Sequence, residues 1–531
     1  MACEIGLAKW DAPAPQGTIR DVLTSRAIRL AACAAWVLFA ALPAAAAQWR
    51  GTLNLNASET YTDNASLTPA AAAKSDFVTQ VSPGFSLRGT GPKLNVSVDY
   101  FLQESVYARE SDLNRTNHSL AASAKSELAK NWLFIDANAS IAQETVSVVG
   151  PVGGDNTTSN ANRAEVRTFR VSPYVRDRLG SSADYEVRYQ YDNVRSDSDI
   201  LPTSWSNKYS ANITSGPAFR TYTWDLKLYK ENVYYQQGGD QGQESITGDL
   251  RYFLTPLFAL TAGTGYEKYD YPFFGDKPEG SFWNGGIFWQ PSTLTTLSVS
   301  SGKRFFGRVY ALDFSHRSRR LLWKASYGEN ITTTRSNFVI PQTLNTSDYL
   351  SALISASISD PVQRAQAVNQ LIAQRGLPAA LANSVNFFTD QVFLQKRGDA
   401  SVAYNSAKTT TVLSFFRDVR DSNAIGALGS VLLGQGDFGQ SANIRQQGVG
   451  LLFNWAFQPR TNADFNIGYS DTLFRDTGQK DRLKFLRLGL RHQLTPKMTG
   501  AVDYHYNQRD STAAEFDYKE NAVSASVNVR F

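Results

Sequence analysis

The sequence predicts an all-β fold: a transmembrane, antiparallel, up-and-down β-barrel of about 22 strands with one helical insert. A boundary error of about two to four residues per strand widens the range to roughly 16–22. Three observations predict it. Apolar and polar residues alternate with a period of two from Trp49 to the end, short and long connections alternate along the chain, and the last strand ends on an aromatic residue.

The amino end carries a targeting signal. Residues 30–42, LAACAAWVLFAAL, are preceded by Arg26 and Arg29 and followed by Pro43 and the tract Ala44 to Ala47. Basic, then apolar, then small is the order of a secretory signal peptide, and the run is too short to span a bilayer as a helix. Residues 1–47 are read as that signal and 48–531 as the barrel. Leu30-Ala31-Ala32-Cys33 has the outline of a lipoprotein cleavage box, but Arg29 abuts it and no apolar run precedes it, so lipidation is not expected. Cys3 and Cys33 are the only cysteines, which leaves none after cleavage and excludes disulfides and thiolate chemistry. Without the charges of residues 1–47, 49 basic and 45 acidic residues remain. That is a mixed surface and excludes a nucleic-acid footprint. No later stretch approaches the roughly 18 uninterrupted apolar residues of a helical span.

The strands are legible from their two faces. Leu94, Val96, Val98, Tyr100 and Leu102 share one face, while Asn95, Ser97, Asp99 and Gln103 share the other. Tyr185, Val187, Tyr189 and Tyr191 alternate with Asp184, Glu186, Arg188 and Gln190. Leu486, Leu488 and Leu490 oppose Arg487 and Arg491. A charged face that continues through strand after strand fits a water-filled lumen, with the apolar face toward lipid. Tyr, Trp and Phe near the strand ends fit interfacial girdles.

Tight turns share a grammar in Leu254-Thr255-Pro256-Leu257, Leu494-Thr495-Pro496-Lys497 and Leu179-Gly180-Ser181. Proline has no N–H to give a ladder, so it is expected at hairpins and not inside strands. Longer polar loops are expected at 63–75, 111–115, 148–162, 196–206, 236–242, 272–279, 422–440 and 476–480. Short turns at one rim and long loops at the other place the short turns in the periplasm. Twenty-two strands spaced about 4.8 Å and tilted about 40° lie on a cylinder of roughly 20 Å radius, too wide for side chains alone to fill.

Residues 333–390 break the rhythm. Ser359 as N-cap, Pro361 in the first turn and Gly376 followed by Pro378 as a stop frame a helix, with Val362, Ala365, Val368, Leu371 and Ile372 on one stripe. The insert leaves from the long-loop rim. It either enters the lumen as a constriction or plug, caps the mouth, or decorates the surface.

The final strand, Asn521 to Phe531, presents Val523, Ala525, Val527, Val529 and Phe531 on one face. These residues are read as the assembly signal for the barrel-assembly machinery, in a strand that closes the barrel against Trp49 to Tyr61.

The stretches SETYTDN (58–64), SDFVTQVSPGFSL (75–87), NWLFIDANASIAQ (131–143), DPVQRAQAVNQLI (360–372) and QVFLQKRGDASVAY (391–404) resemble the PEP-CTERM (exosortase) system-associated outer-membrane β-barrel proteins. The resemblance covers essentially the whole mature chain. It implies the outer membrane of a Gram-negative bacterium and an exopolysaccharide context, and carries over no catalytic or binding residue.

No constellation for chemistry stands out. His118, His316, His492 and His505 are scattered, without metal-ligand spacing, and are read as solvated by the lumen; His492 and His505 flank one turn and could approach. No Ser-His-Asp set is evident, so no enzyme, cofactor or metal is expected. Tyr266, Tyr269, Tyr271, Phe273 and Phe274, with Phe282, Trp283 and Trp289, are either an interfacial girdle or a platform for sugar rings. Two functions remain: a pore or conduit associated with exopolysaccharide export, or a non-transporting docking barrel that anchors surface polymer or sorted proteins. Outer-membrane lipid and exopolysaccharide are the expected partners, without nucleic acid. A TonB-type transporter is disfavoured because strands begin at Trp49, leaving no length for an amino-terminal plug.

Overall fold

The computed structural model describes residues 47–147, 150–152, 158, 162–197, 202–236, 239–271, 278–339, 351, 392–422 and 443–531. The signal-peptide reading, apart from Ala47, the stripe Val362, Ala365, Val368, Leu371 and Ile372, and Phe273 and Phe274 lie outside the described residues.

Twenty-two strands form one closed antiparallel sheet. They are β1 (Gln48–Thr62), β2 (Asp76–Thr90), β3 (Leu94–Tyr107), β4 (Arg115–Ala129), β5 (Leu133–Thr145), β6 (Arg163–Leu179), β7 (Ala183–Ser196) and β8 (Ser204–Ser215). Next come β9 (Tyr222–Tyr235), β10 (Gln241–Thr255), β11 (Phe258–Asp270), β12 (Glu279–Ser292), β13 (Thr295–Arg304), β14 (Gly307–Arg317) and β15 (Leu321–Thr333). After a short helix, α1 (Thr334–Val339), follow β16 (Val392–Asn405), β17 (Thr409–Asp421), β18 (Asn443–Gln458), β19 (Thr461–Phe474), β20 (Lys480–Thr495), β21 (Met498–Ser511) and β22 (Tyr518–Arg530). The all-β barrel and its strand number agree with the sequence expectation.

Each strand pairs with the next, and β22 closes on β1 from Asn54–Arg530 to Thr62–Ala522. The backbone N–H of Phe531 donates to the carbonyl of Leu53 at 2.9 Å, so the terminal aromatic is tied to the first strand. Closure leaves the sheet without a free edge along this ladder, the condition for a sheet to stand in hydrocarbon.

Period-two patterning sets the two faces. Leu53 is 61% exposed, Trp283 59% and Val502 55%, all on the outside. Their alternates, including Asn54 and Asp503, point into the barrel. An outer apolar band is solvated by acyl chains, whereas in water it would be an association surface.

Proline departs from the expected rule. Pro83 and Pro173 sit inside β2 and β6, and at each the ladder to the following strand is interrupted. The β2–β3 pairs pass from Val81–Glu104 to Gly84–Phe101, and the β6–β7 pairs from Val171–Tyr191 to Tyr174–Arg188. The cause is the missing N–H; a barrel strand tolerates one such gap because its other neighbour keeps full pairing.

The wall is uneven on one flank. β13 and β14 are only 10 and 11 residues long and are joined at the long-loop rim by the two-residue turn Phe305–Phe306. Arg304 pairs with Gly307, whose φ of +134° only glycine adopts without strain. This tight turn on the long-loop side was absent from the expected loops. The β14–β15 ladder runs only from Leu312–Tyr327 to Arg317–Leu322, although β15 and β16 pair along the whole of β15.

Above Tyr327, β15 and β16 lean into the barrel. Ile331 shares the face of the lipid-exposed Trp323, yet it packs with Val392 and Leu394 of the β16 end against Tyr269 and Tyr271, which follow the lumen-facing register of β11. Phe305 and Phe306 fill the space between. The outer register of one part of the wall is therefore buried against the inner register of another, as in a scroll.

Candidate functional site: the lumen wall and its constriction

The lumen face is lined by cations and carboxylates that neutralise one another across neighbouring strands. In the half nearer the short turns, Arg88 meets Asp99 at 2.6 Å, and Arg188 bridges Asp136 at 3.1 Å and Glu186 at 2.9 Å. Across the lumen wall of β19 to β21, Arg487 meets Asp503 at 3.0 Å and Arg491 meets Asp464 at 3.3 Å. Such partly exposed pairs contribute little to stability, about 0–1 kcal/mol each. Their consequence is a hydrated wall of alternating charge that suits passage of polar solutes over apolar ones.

Arginines near the short-turn rim also lie on aromatic rings. The Arg188 guanidinium sits 3.7 Å from the centroid of Tyr174, Arg176 sits 4.3 Å from that of Phe134, and Phe134 stacks on Tyr174. The stack holds the charged groups to the wall, out of the passage.

The half nearer the long loops is different in kind: its charges are buried. Arg509 donates to Asp481 at 2.7 Å and also to the carbonyl of Gly150. Tyr518 donates to the carbonyl of Val152 at 2.7 Å, and Arg115 to that of Thr158 at 2.6 Å. Residues 150–152 and 158, between β5 and β6, are thereby fastened to β4, β21 and β22. Arg420 pairs with Asp418 at 3.0 Å, and Gln395 donates to the same carboxylate. A clasp crosses the closing ladder: Glu520 accepts from Thr62 at 2.9 Å and Asn507 at 2.7 Å.

The most telling contact comes from the insert. α1 continues inward from the leaning end of β15 and docks on the lumen face of β6 to β8. Arg335, 2% exposed, pairs with the fully buried Asp192 and donates through Nε to Ser204 Oγ at 2.8 Å. Lys208 lies 3.7 Å from Asp192 and 3.1 Å from Glu231, so two cations and two carboxylates form one buried, neutral group. Phe338 and Val339 pack beside it against Val146, Ala164, Val166 and Val194. Buried charge requires this degree of pairing, because a lone ion there costs several kcal/mol.

Of the residues singled out from sequence, Val523, Ala525, Val527 and Val529 lie on the lipid face of β22, with Val523 opposite Tyr61, and Phe531 lies exposed just beyond the end of that strand. The histidines do not share one environment. His492 and His316 lie at the short-turn rim on the outer face, bonded through Nδ1 to Thr461 and Thr295; His505 faces inward and meets Glu520 at 3.3 Å. His118 pairs with Leu102 in the outer register and bonds through Nδ1 to Tyr100 at 2.8 Å, and His505 is buried, so solvation by the lumen describes none of the four; His492 pairs with Gly500, not with His505. Among the described residues no cluster of His, Cys, Asp and Glu could hold a metal ion.

The aromatic group expected as either girdle or platform divides between faces. Tyr266, Trp283 and Trp289 are exposed to the outside, whereas Tyr269 and Tyr271 are buried under β15 and β16. Alternation separates them, so they form no single sugar platform.

Arg335, Asp192, Lys208 and Glu231 were not singled out from sequence. One signal existed: Arg335 follows the run Thr332-Thr333-Thr334 at the point where strand alternation stops. Asp192 gave none, since it reads like any other lumen carboxylate.

The family model described as "Putative beta-barrel porin 2" matches residues 436–531, the last five strands and the residues just before them. No curated protein matches the chain. Similar solved structures include the siderophore receptor PiuA from Acinetobacter baumannii, at 8% identity over 91% of this chain and 82% of that one, with a TM-score of 0.48. The ferric-catecholate import receptor Fiu from E. coli K12, in its open form, shows 8% identity over 91% and 82%, with a TM-score of 0.47. The siderophore receptor PirA from Pseudomonas aeruginosa shows 8% identity over 91% and 80%, with a TM-score of 0.45. The chain is a closed β-barrel whose last five strands are similar to that porin family.

Proposed function

We propose that this barrel is a constricted conduit for polar, hydrated solutes or polymer across the outer membrane of a Gram-negative bacterium, and that the segment beginning at Thr334 is its constriction. The observation that carries the reading is the docking of Arg335, Phe338 and Val339 on the inner wall, which favours entry into the lumen over a cap above it. The balanced charges of the lower wall favour a polar cargo. No catalytic role is proposed; the carboxylates are distributed and paired.

The resemblance of five sequence blocks to PEP-CTERM system barrels supports exopolysaccharide as the cargo and the exosortase system as the setting. Membrane lipid and the barrel-assembly machinery are the other partners of this reading, which includes no nucleic acid. Two measurements test it. Proteoliposomes containing the barrel should swell in small sugars faster once residues 340–391 are removed, and a strain lacking the protein should retain polymer in the periplasm. Equal swelling of both forms together with normal secretion would overturn the reading.

A second reading is a non-transporting docking barrel for surface polymer or sorted proteins. The buried ion pairs of the long-loop half favour it, because they seal what they touch. It requires no swelling from either form, and loss of surface assembly when residues 148–162 or 422–440 are deleted.

A further inference from the structure

The flank where β15 leaves the wall has a second consequence. Among the described residues, β14 pairs with nothing on its β15 side between Gly307 and Ala311, since that ladder begins only at Leu312–Tyr327. Unpaired backbone groups at membrane depth cost several kcal/mol each unless water, protein or a bound polar group satisfies them. Counted from the short-turn end at Arg317, the ladder ends about 13–15 Å up a strand tilted about 40°, so the open edge lies in the half of the bilayer nearer the long loops.

Two hollows meet at that edge. Outside is an apolar hollow of about 540 Å³, bordered by Gly285, Ile287, Val299 and Ser301. Inside is a hollow of about 530 Å³ bordered by Asp313, Asn330, Arg397 and Asp399. Ala311, Leu312 and Tyr327 border both. Arg397 and Asp399 lie 2.7 Å apart on the inner side and present one cation and one anion together.

We propose that this seam is a binding site for one zwitterionic glycerophospholipid, with an acyl chain in the outer hollow and the head group at the inner one. The outer hollow matches a chain in polarity. The inner hollow offers Arg397 to a phosphate and Asp399 to an amine, and a head group between them supplies the hydrogen bonds that the β14 edge lacks. The seam is independent of the conduit reading, because its outer half faces lipid and not the passage.

The test is native mass spectrometry of the full barrel released from micelles containing phosphatidylethanolamine or dioleoylglycerol. The wild type should retain one phosphatidylethanolamine and at least about tenfold less dioleoylglycerol, a difference of about 1.4 kcal/mol. Gly285→Phe fills the outer hollow, since a Cβ there meets nothing nearer than 4.0 Å, and should lower retention about tenfold or more. Ser301→Leu fills the same space if that variant assembles poorly, and heat-dependent gel mobility confirms folding for both. Equal retention by the wild type and a folded hollow-filled variant means annular lipid only and overturns the proposal. Equal retention of the two lipids overturns it as well.

Discussion

Arg335 and Asp192 stand 143 residues apart in the chain and form a buried ion pair on the lumen wall, where the first turn of the insert meets β7. The pair makes the helix Thr334–Val339, which follows β15, part of the barrel interior. Replacing one member leaves its partner's charge buried without compensation, which costs about 3–5 kcal/mol. Arg335→Ala and Asp192→Asn should each release protection of amides 334–339 in hydrogen exchange. The double variant should lose less than the sum of the two, the mark of a direct pair.

The closing strand should tolerate charge according to face. Val527→Arg places a cation on the lipid side and should cost about 2–4 kcal/mol if it lies near the midplane, less toward an interface. Ser526→Arg, one residue earlier, faces the lumen and should fold nearly as the wild type. Denaturant titration in lipid vesicles separates them. Deleting Phe531 should reduce the heat-modifiable, folded fraction in cells, and undiminished assembly would remove any special role for that residue.

Several lumen glycines exist to admit an aromatic ring from the next strand. A Cβ on Gly468 would lie 2.0 Å from the ring of Phe485 and one on Gly84 2.4 Å from that of Phe101. Gly468→Ala should therefore destabilise the barrel by about 1–3 kcal/mol through overpacking, and Phe485→Leu in the same chain should recover part of the loss. Urea unfolding of the wild type and the two variants measures this.

Most of the fold was legible because each strand carries both of its environments in alternation. Leu486, Leu488 and Leu490 against Arg487 and Arg491 suffice to orient β20, and the turns at Pro256 and Pro496 locate hairpins. The scroll at β13 to β16 was not legible. Ile331 and Leu394 keep the lipid-facing register of their strands, in which the pair Glu329–Lys396 at 3.9 Å is the one sign of a changed environment, and the contact with Tyr269 shows that the face has become buried. The departure of the chain from the wall was legible as an interruption of rhythm after Thr333, but the partners of Arg335 were not. Asp192 and Lys208 differ from exposed lumen charges only by what arrives from a distant loop.

Ion selectivity should report the charge of the lower wall. Arg188 balances Asp136 and Glu186, so Arg188→Ala leaves two carboxylates facing the passage. The reversal potential under a potassium chloride gradient should shift toward cation selectivity, and the shift should shrink as ionic strength rises.

Single-channel recording in planar bilayers measures whether the segment entered through Arg335 narrows the passage. The wild type should show small or rare conductance steps, whereas Arg335→Ala should open to larger and longer ones. Identical step sizes and open times in the two proteins would show that the segment does not narrow it.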